Sequence, residues 1–433
     1  MKRRDFLKLM GLAGLSVAWP LPTRQAHAQS ASYSGPLYVS IAAMGGWDVT
    51  SFCDPKVNLQ GQPVINHWAE SDTAQTIQGS PIAYAPFANN ADFFSRFHDD
   101  MLVINGIDAQ TNSHDVGVRH NWSGRIAPGY PSFASMVAAA HGQDLPLAFI
   151  NNGGYRETAG LAPYTLIQGP YTLRNLVNAN EVPWGGTLYN DDDEIAVIER
   201  HQAERLTSQL GRSDLLPREG RGMSALAEAR LSREQLAALS DLLPEEFPEP
   251  IDKDGNYNYM LQQIDLALIC YQAGLTVSCD MISWRFDTHA DHDAEQAAGL
   301  AELTNAIEYL WDAADALGIA DQLRVCVSSD FGRTPMYNDD NGKDHWPIGS
   351  ALLMQRGAPW GNRVVGATDG GHNALPINPS TLQVDTGSSG VVIQPKHVQD
   401  ALRRFGGIEQ HEVASSFPLD AEPIDFFNPN VST

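Results

Sequence analysis

The sequence is poor in long apolar runs, cysteine and positive charge, and each shortage excludes something. Beyond the first thirty residues no apolar stretch reaches the roughly 18–20 residues needed to span a hydrocarbon core, so no later transmembrane helix is expected. Four cysteines (Cys53, Cys270, Cys279, Cys326) are too few and too scattered for a disulfide scaffold or a zinc ribbon, and they read as core residues. Lys and Arg number 28 against 52 Asp and Glu, a formal charge of −24. Such an acidic surface repels nucleic acid and anionic membrane, although it leaves room for a local cationic pocket. Neither a Walker A loop nor a G-x-S-x-G elbow is present. Asp385-Thr386-Gly387-Ser388 has the form of half an aspartic-protease dyad, but the second half is missing. Asp252–Asn256 lacks the spacing of an EF-hand loop and reads as a turn.

The N-terminus, by contrast, is rich in signal. Arg3-Arg4-Asp5-Phe6-Leu7-Lys8 fits the twin-arginine pattern, a short apolar stretch runs from Leu9 to Trp19, and Ala26-His27-Ala28 offers the small residues of a cleavage site. Residues 1–28 are therefore expected to be a twin-arginine signal peptide, with the translocase as a partner during export and a periplasmic or secreted destination. Its removal takes away five basic residues and one acid, moving the formal charge to −28. Twin-arginine export carries proteins that fold before crossing, which favours a cofactor inserted inside the cell.

From Gln29 onward the pattern is α/β. Short apolar runs at Leu37–Met44, Met101–Ile107, Leu145–Ile150, Thr276–Ile282, Leu323–Ser328 and Ala351–Met354 predict buried strands. Helical spacing predicts helices at Ser132–Ala140, Tyr259–Tyr271, Ala294–Leu317 and Lys396–Phe405. Their alternation predicts a mostly parallel central sheet with helices on both faces. Residues 190–250 differ: charge rises, glycine thins out, and apolar residues recur at helical spacing through Ile195–Leu210 and Met223–Leu243. This stretch reads as a helical insertion in a single domain covering 29–433, with Pro244–Pro250 linker-like.

In such sheets chemistry gathers beyond the carboxyl ends of strands. The residues there are Asp48 after Gly45-Gly46-Trp47; Ser113-His114; Asp287, His289 and His292 in a dense D-T-H-A-D-H cluster; and Asp330 and Arg333 after Ser329. A further loop delivers His345, and His114, His120 and His372 are spare candidates. Carboxylate oxygens and imidazole nitrogens are what zinc, manganese or magnesium sites are built from. A hydroxyl beside such an ion becomes a nucleophile, and Arg333 could bind an anionic group bidentately. The plain alternatives are a turn at Asp48, a cap at Asp330, an ion pair at Arg333 and a satisfied buried histidine at His345.

Taken in order, G-G-W-D (Gly45–Asp48), Ser113-His114, F-D-T-H (Phe286–His289), S-D-F-G-R-T (Ser329–Thr334) and D-H-W (Asp344–Trp346) resemble the DUF1501 family of exported bacterial proteins, related to the alkaline phosphatase-like superfamily. The resemblance covers most of the mature chain except 190–250. It implies an alkaline phosphatase-like fold and one or two divalent ions, zinc, manganese or similar. Asp48 and Asp330 would hold one ion; Asp287, His345 and either His289 or His292 the other; Ser113 would be the nucleophile, acting on a small anionic phosphate or sulfate ester. The sequence departs from that superfamily at Phe331, which stands where a metal-binding histidine is expected, and no sulfatase C-x-P-S-R signature occurs. The competing expectation is an exported binding or assembly protein that keeps the fold without the chemistry.

Overall fold

The computed structural model describes residues 33–428 apart from 168, 179, 183–186, 213, 217–235, 237–238 and 245. The expected signal peptide and most of the expected helix Met223–Leu243 lie outside the described residues.

Leu37–Ala43 (β1) shows how the sheet is built. Every residue in it is buried, because successive side chains point to opposite faces and both faces are covered. Leu37, Val39, Ile41 and Ala43 enter one core, while Tyr38 enters the other. The remaining strands of the sheet are Met101–Asp108 (β2), Phe149–Asn151 (β3), Tyr164–Thr165 (β4), Ser278–Ser283 (β5) and Leu323–Ser328 (β6). Gly332–Arg333 (β7) and His345–Trp346 (β8) form a separate small hairpin. Ile348–Met354 (β9) and Arg363–Val365 (β10) complete the main sheet. Its order is β10-β2-β9-β6-β1-β5-β3-β4. β1 pairs in parallel with β5 and β6, and β9 runs antiparallel to both β2 and β6.

Seven helices matter for the site and its support: Asn90–Phe97 (α1), His114–Ser123 (α2), Phe133–His141 (α3), Asp192–Leu210 (α4), Tyr259–Gln272 (α5), His292–Ala316 (α6) and Pro395–Phe405 (α7). On one face α5 and α6 contribute Ile264, Leu300, Leu303, Ile307 and Trp311 to the core, beside Phe93 and Phe94 of α1. On the other face α3 and α7 contribute Phe133, Val137, Val398 and Leu402. Each such side chain stabilises the fold by roughly 1.5–3 kcal/mol on full burial. Local chemistry sets the helix starts: Ser132 Oγ accepts from Ser135 N, and the Asn258 side chain accepts from Met260 N.

The architecture is the expected mixed α/β one, with a large, mostly parallel sheet and helices around it. Three details differ. The strand expected at 145–150 begins only at Phe149, since the Leu145 amide closes a turn onto Gly142 O. β4 and β10 were not expected; with two and three residues they are too short to show a period. In the 190–250 stretch, α4 has none of its 19 residues buried, in keeping with its charge. Among the described residues no helix is long and apolar enough to cross a membrane.

Candidate active site

The neighbouring strands β1, β5 and β6 end side by side, and their loops meet. Gly45 and Gly46 turn the chain after β1 with φ of +114° and +86°. A Cβ on Gly45 would sit 2.3 Å from Asp287 N, and one on Gly46 would press on the Phe331 ring at 2.9 Å. Glycine is needed there both for its left-handed freedom and for the close approach of three loops. The approach is then pinned by Asp330, whose Oδ1 accepts from Gly45 N (3.2 Å) and Ser329 Oγ (2.9 Å).

Around Asp287, three imidazoles converge. The Nε2 atoms of His289, His345 and His114 lie 3.1, 3.4 and 3.5 Å from Asp287 Oδ1. His289 Nε2 and His345 Nε2 are 2.9 Å apart. Each ring is anchored through its other nitrogen. His114 Nδ1 donates to Asp330 Oδ2, His289 Nδ1 donates to Asp344 Oδ1 (2.8 Å), and His345 Nδ1 donates to Asn112 O (2.8 Å). In the neutral rings those three bonds place the proton on Nδ1 and leave Nε2 as a lone pair, all three lone pairs facing one carboxylate oxygen. Bare lone pairs 2.9 Å apart repel unless a proton or a cation lies between them.

This donor set fits a small divalent cation. Neighbouring ligand atoms bonded to such an ion at about 2.0–2.2 Å lie about 3–3.5 Å from one another, and Asp287 Oδ1 stands at that distance from each of the three Nε2 atoms. His114, Asp287 and His345 present ligand atoms all within 4.8 Å of one another, and His114 Nε2 is buried without a hydrogen-bond partner. The anchoring of each Nδ1 to a carboxylate or carbonyl is the outer support that metal-bound histidines require. Formal charge points the same way: Asp287, Asp330 and Asp344 face a single guanidinium, Arg333, whose Nη2 donates to Asp287 Oδ1 (2.6 Å). The hydrogen bond to Asp330 raises the His114 imidazole above its ordinary value, against burial. Burial would raise the Asp287 carboxyl, but Arg333 holds it below the usual range.

A second polar cluster lies deeper. Asp48, His292 and Lys343 are fully buried. Lys343 Nζ donates to Asp48 Oδ2 (2.5 Å), Asn66 Oδ1 (2.8 Å) and Thr50 Oγ1 (3.4 Å). His292 Nε2 donates to Asp48 Oδ2 (2.8 Å), while its Nδ1 accepts from Thr288 Oγ1 (2.7 Å). Burial would push the Asp48 carboxyl up; the Lys343 ammonium and His292 hold it well below the usual range instead. Burial also lowers His292, keeping the imidazole neutral. One anion meets one cation here, and the donors and acceptors are matched.

The two ligand groups inferred from the resemblance are thus divided differently. Asp48 and Asp330 do not share a site: Asp48 pairs with Lys343 and His292, Asp330 with His114. Of the two alternatives after Asp287, His289 stands beside it with His345, and His292 belongs to the deeper cluster. Arg333 is fully buried, donating to Gly46 O (2.9 Å), Lys343 O (2.8 Å), Gly45 O and Asp287, so it holds the loops together rather than facing outward. Ser113 is exposed, immediately before α2, and its side chain makes no capping bond. His114, only a spare candidate in the sequence, is central, and its adjacency to Ser113 was the signal for it. His120 and His372 lie elsewhere: His120 Nδ1 donates to Ala109 O (2.9 Å), and burial pushes His372 down to about 4. Phe331 packs its ring 4.7 Å from that of His114 and 4.6 Å from that of His345, walling the centre with hydrocarbon. Lys343 is no candidate in the sequence, and Asp344 stands there only as the first residue of the D-H-W motif, although both sit in the K-D-H-W stretch.

Residues 204–384 match the family model described as "Protein of unknown function (DUF1501)". Over that stretch the chain is similar to the DUF1501 family. The matched DUF1501 segment holds Asp287, His289, His292, Asp330, Arg333 and His345, and stops short of Asp48 and Ser113. It also runs through 204–250, part of the region where no resemblance was expected. No curated protein matches the chain. Among solved structures, PsFucS1 sulfatase from Pseudoalteromonas sp. is similar at 10% identity over 99% of this chain and 76% of that one, with a TM-score of 0.41. The lipoteichoic acid synthase LtaP from Listeria monocytogenes is similar at 8% identity over 98% and 81%, TM-score 0.38. Alkaline phosphatase from the Antarctic bacterium TAB5 is similar at 12% identity over 76% and 95%, TM-score 0.33.

Proposed function

We propose that the chain is an exported, metal-dependent hydrolase or transferase of phosphate or sulfate esters, with one divalent cation held by His114, Asp287, His289 and His345 and with Ser113 as nucleophile. The observation that carries this reading is the convergence of three Nδ1-anchored imidazoles on Asp287 Oδ1. Three imidazoles and a carboxylate suit zinc or manganese better than calcium. A cation bound there supplies Lewis-acid polarisation of an ester oxygen and favours an alkoxide beside it. The chain's own groups do the rest. Asp330, Asp344 and Asn112 O keep the Nε2 lone pairs turned inward, and Arg333 keeps Asp287 ionised and oriented. Ser113, next in sequence to His114, forms a bond from Oγ to phosphorus or sulfur as the ester oxygen departs. The serine proton ends on the departing alcohol, and water or a second acceptor then releases the serine.

Export by the twin-arginine translocase to the periplasm or beyond, and a single mature domain from residue 29 with 190–250 as an attached insertion, belong to the same proposal. The residues behind the export reading are Arg3–Lys8 and Ala26–Ala28. One observation favours the competing reading of a non-catalytic binding or assembly protein. Arg333, the cation expected to face an anionic substrate, spends its guanidinium on backbone carbonyls and Asp287.

Metal analysis and ester turnover on the full chain, purified without chelator, test the proposal. Close to one equivalent of metal is expected, lost in Asp287→Ala. Hydrolysis of 4-nitrophenyl phosphate or 4-nitrophenyl sulfate should vanish in Ser113→Ala while metal is retained. A protein that neither carries nor takes up metal sinks the proposal, and turnover unchanged in Ser113→Ala removes the serine from it.

A further inference from the structure

The deeper cluster has the form of a cation site whose cation is part of the chain. The Lys343 ammonium has three N–H donors, and three oxygens receive them: a carboxylate, an amide and a hydroxyl from Asp48, Asn66 and Thr50. The face of Tyr337 lies 5.1 Å from Nζ, adding a cation–π contact. Asn66 is itself fixed, donating from Nδ2 to Lys56 O (2.8 Å) and Thr50 O (3.3 Å). Asp48 and Asn66 are fully buried, so the oxygens are held in place before any cation meets them.

Lys343 is also tied to the outer centre through its backbone. Lys343 N donates to Thr288 O (3.0 Å), next to Asp287. Lys343 O accepts from Arg333 Nη1, and the same guanidinium donates to Asp287. The two following residues supply Asp344, which orients His289, and His345. A single lysine therefore fastens the strand that carries one group of ligands to the loop that carries the other.

We propose that Lys343 is a resident cation and a positioning residue: its ammonium fills a preformed oxygen cage behind the outer centre, excludes a second metal ion from Asp48, and sets the relative placement of Asp287 and His345. Two consequences distinguish this from ordinary packing. Shortening the side chain leaves an anionic cage that a small external ammonium can refill, and the intact chain holds one metal rather than two. The metal-affinity arm rests on the proposed function; the cage arm does not.

The test uses the full-length protein and Lys343→Ala. The variant is expected to melt several degrees lower, to regain most of that loss in millimolar n-propylamine, and to gain nothing from tetramethylammonium, which has no N–H to donate. Zinc affinity at the outer centre should fall about 10–100-fold, the range for loss of an orienting group, and recover with propylamine. Wild-type protein should bind one equivalent of zinc, and Lys343→Ala without amine should take a second. If Lys343→Ala does not fold, Asp48→Asn/Lys343→Met, which removes both charges at nearly constant volume, replaces it for the zinc titration. Equal rescue by both amines, or wild-type zinc affinity in either variant, overturns the proposal. A wild-type protein that binds no zinc defeats the functional reading and leaves the amine rescue to decide this one.

Discussion

The deep and outer clusters use similar residues to opposite ends. Around Asp48 an aspartate, a histidine and a lysine are shut away from water, with charges that cancel and hydrogen bonds that match. Around Asp287 an aspartate and three histidines sit at the rim, with lone pairs turned on one another and too much negative charge. Burying a charge is tolerable only when it is paired and hydrogen-bonded, and the deep cluster meets that condition by itself. The outer one is half-exposed, and its facing lone pairs are reconciled only by an added proton or cation. Histidine and aspartate in a motif therefore do not identify a metal ligand; the balance of charge and lone pairs around them does.

That contrast can be broken most severely at Asp48. Asp48→Ala strands a buried ammonium and should destabilise the protein by about 3–5 kcal/mol, the usual cost of removing one partner of a buried pair, read from the urea midpoint. A loss under about 1 kcal/mol would mean that the cluster is not closed as described. In the outer centre His345→Ala should weaken metal binding more than about 100-fold, beyond the range set by orienting groups, in a calorimetric titration. Asp344→Ala should weaken it about 10–100-fold, because His289 loses its anchor, and the urea midpoint should hardly move since Asp344 is largely exposed. Affinity unchanged in Asp344→Ala would remove His289 from the ligand set.

Acid separates the two regions more gently. The lowered Asp48 carboxyl contributes stability that is present above its unfolded value of 3.8 and lost only as pH falls through its depressed folded value. His114 is shifted the other way. In the metal-free protein its proton stabilises the fold below the ordinary value of 6.5, and that contribution is lost as pH rises through the raised one. Metal must displace that proton from the ring, so metal affinity weakens progressively as pH falls below the same raised value. Near pH 5 the protein should be folded by near-ultraviolet dichroism yet free of metal after dialysis. Metal retained at that pH, or lost only together with the fold, would erase the distinction.

The strands that form the middle of the sheet were legible because both of their faces are largely buried, so β1 and β6 read as apolar runs interrupted only by Ser40 and Arg324. The rule that chemistry follows strand ends picks out Asp287, His289 and Asp330 from their place after apolar runs, and the loop that follows adds His345. What it could not find was the pairing. Asp48 and Asp330 both follow a strand, and only the third dimension shows one turned inward to Lys343 and the other outward to His114. Lys343 was invisible because a lysine in a polar loop is normally a solvated surface residue. β9 runs antiparallel to β6, and the connection between them carries the β7–β8 hairpin rather than a crossover helix.

His345 rests on the carbonyl of Asn112, a contact spanning 233 positions of sequence. A contact of that span holds only where β2 and β6, on either side of β9, are already in register. The outer centre is therefore expected to follow the sheet in folding, and a bound ion would act as a clock for it. Added to refolding protein, zinc should be captured in the slowest phase, and a chain that had taken up its ion would be one that had finished folding.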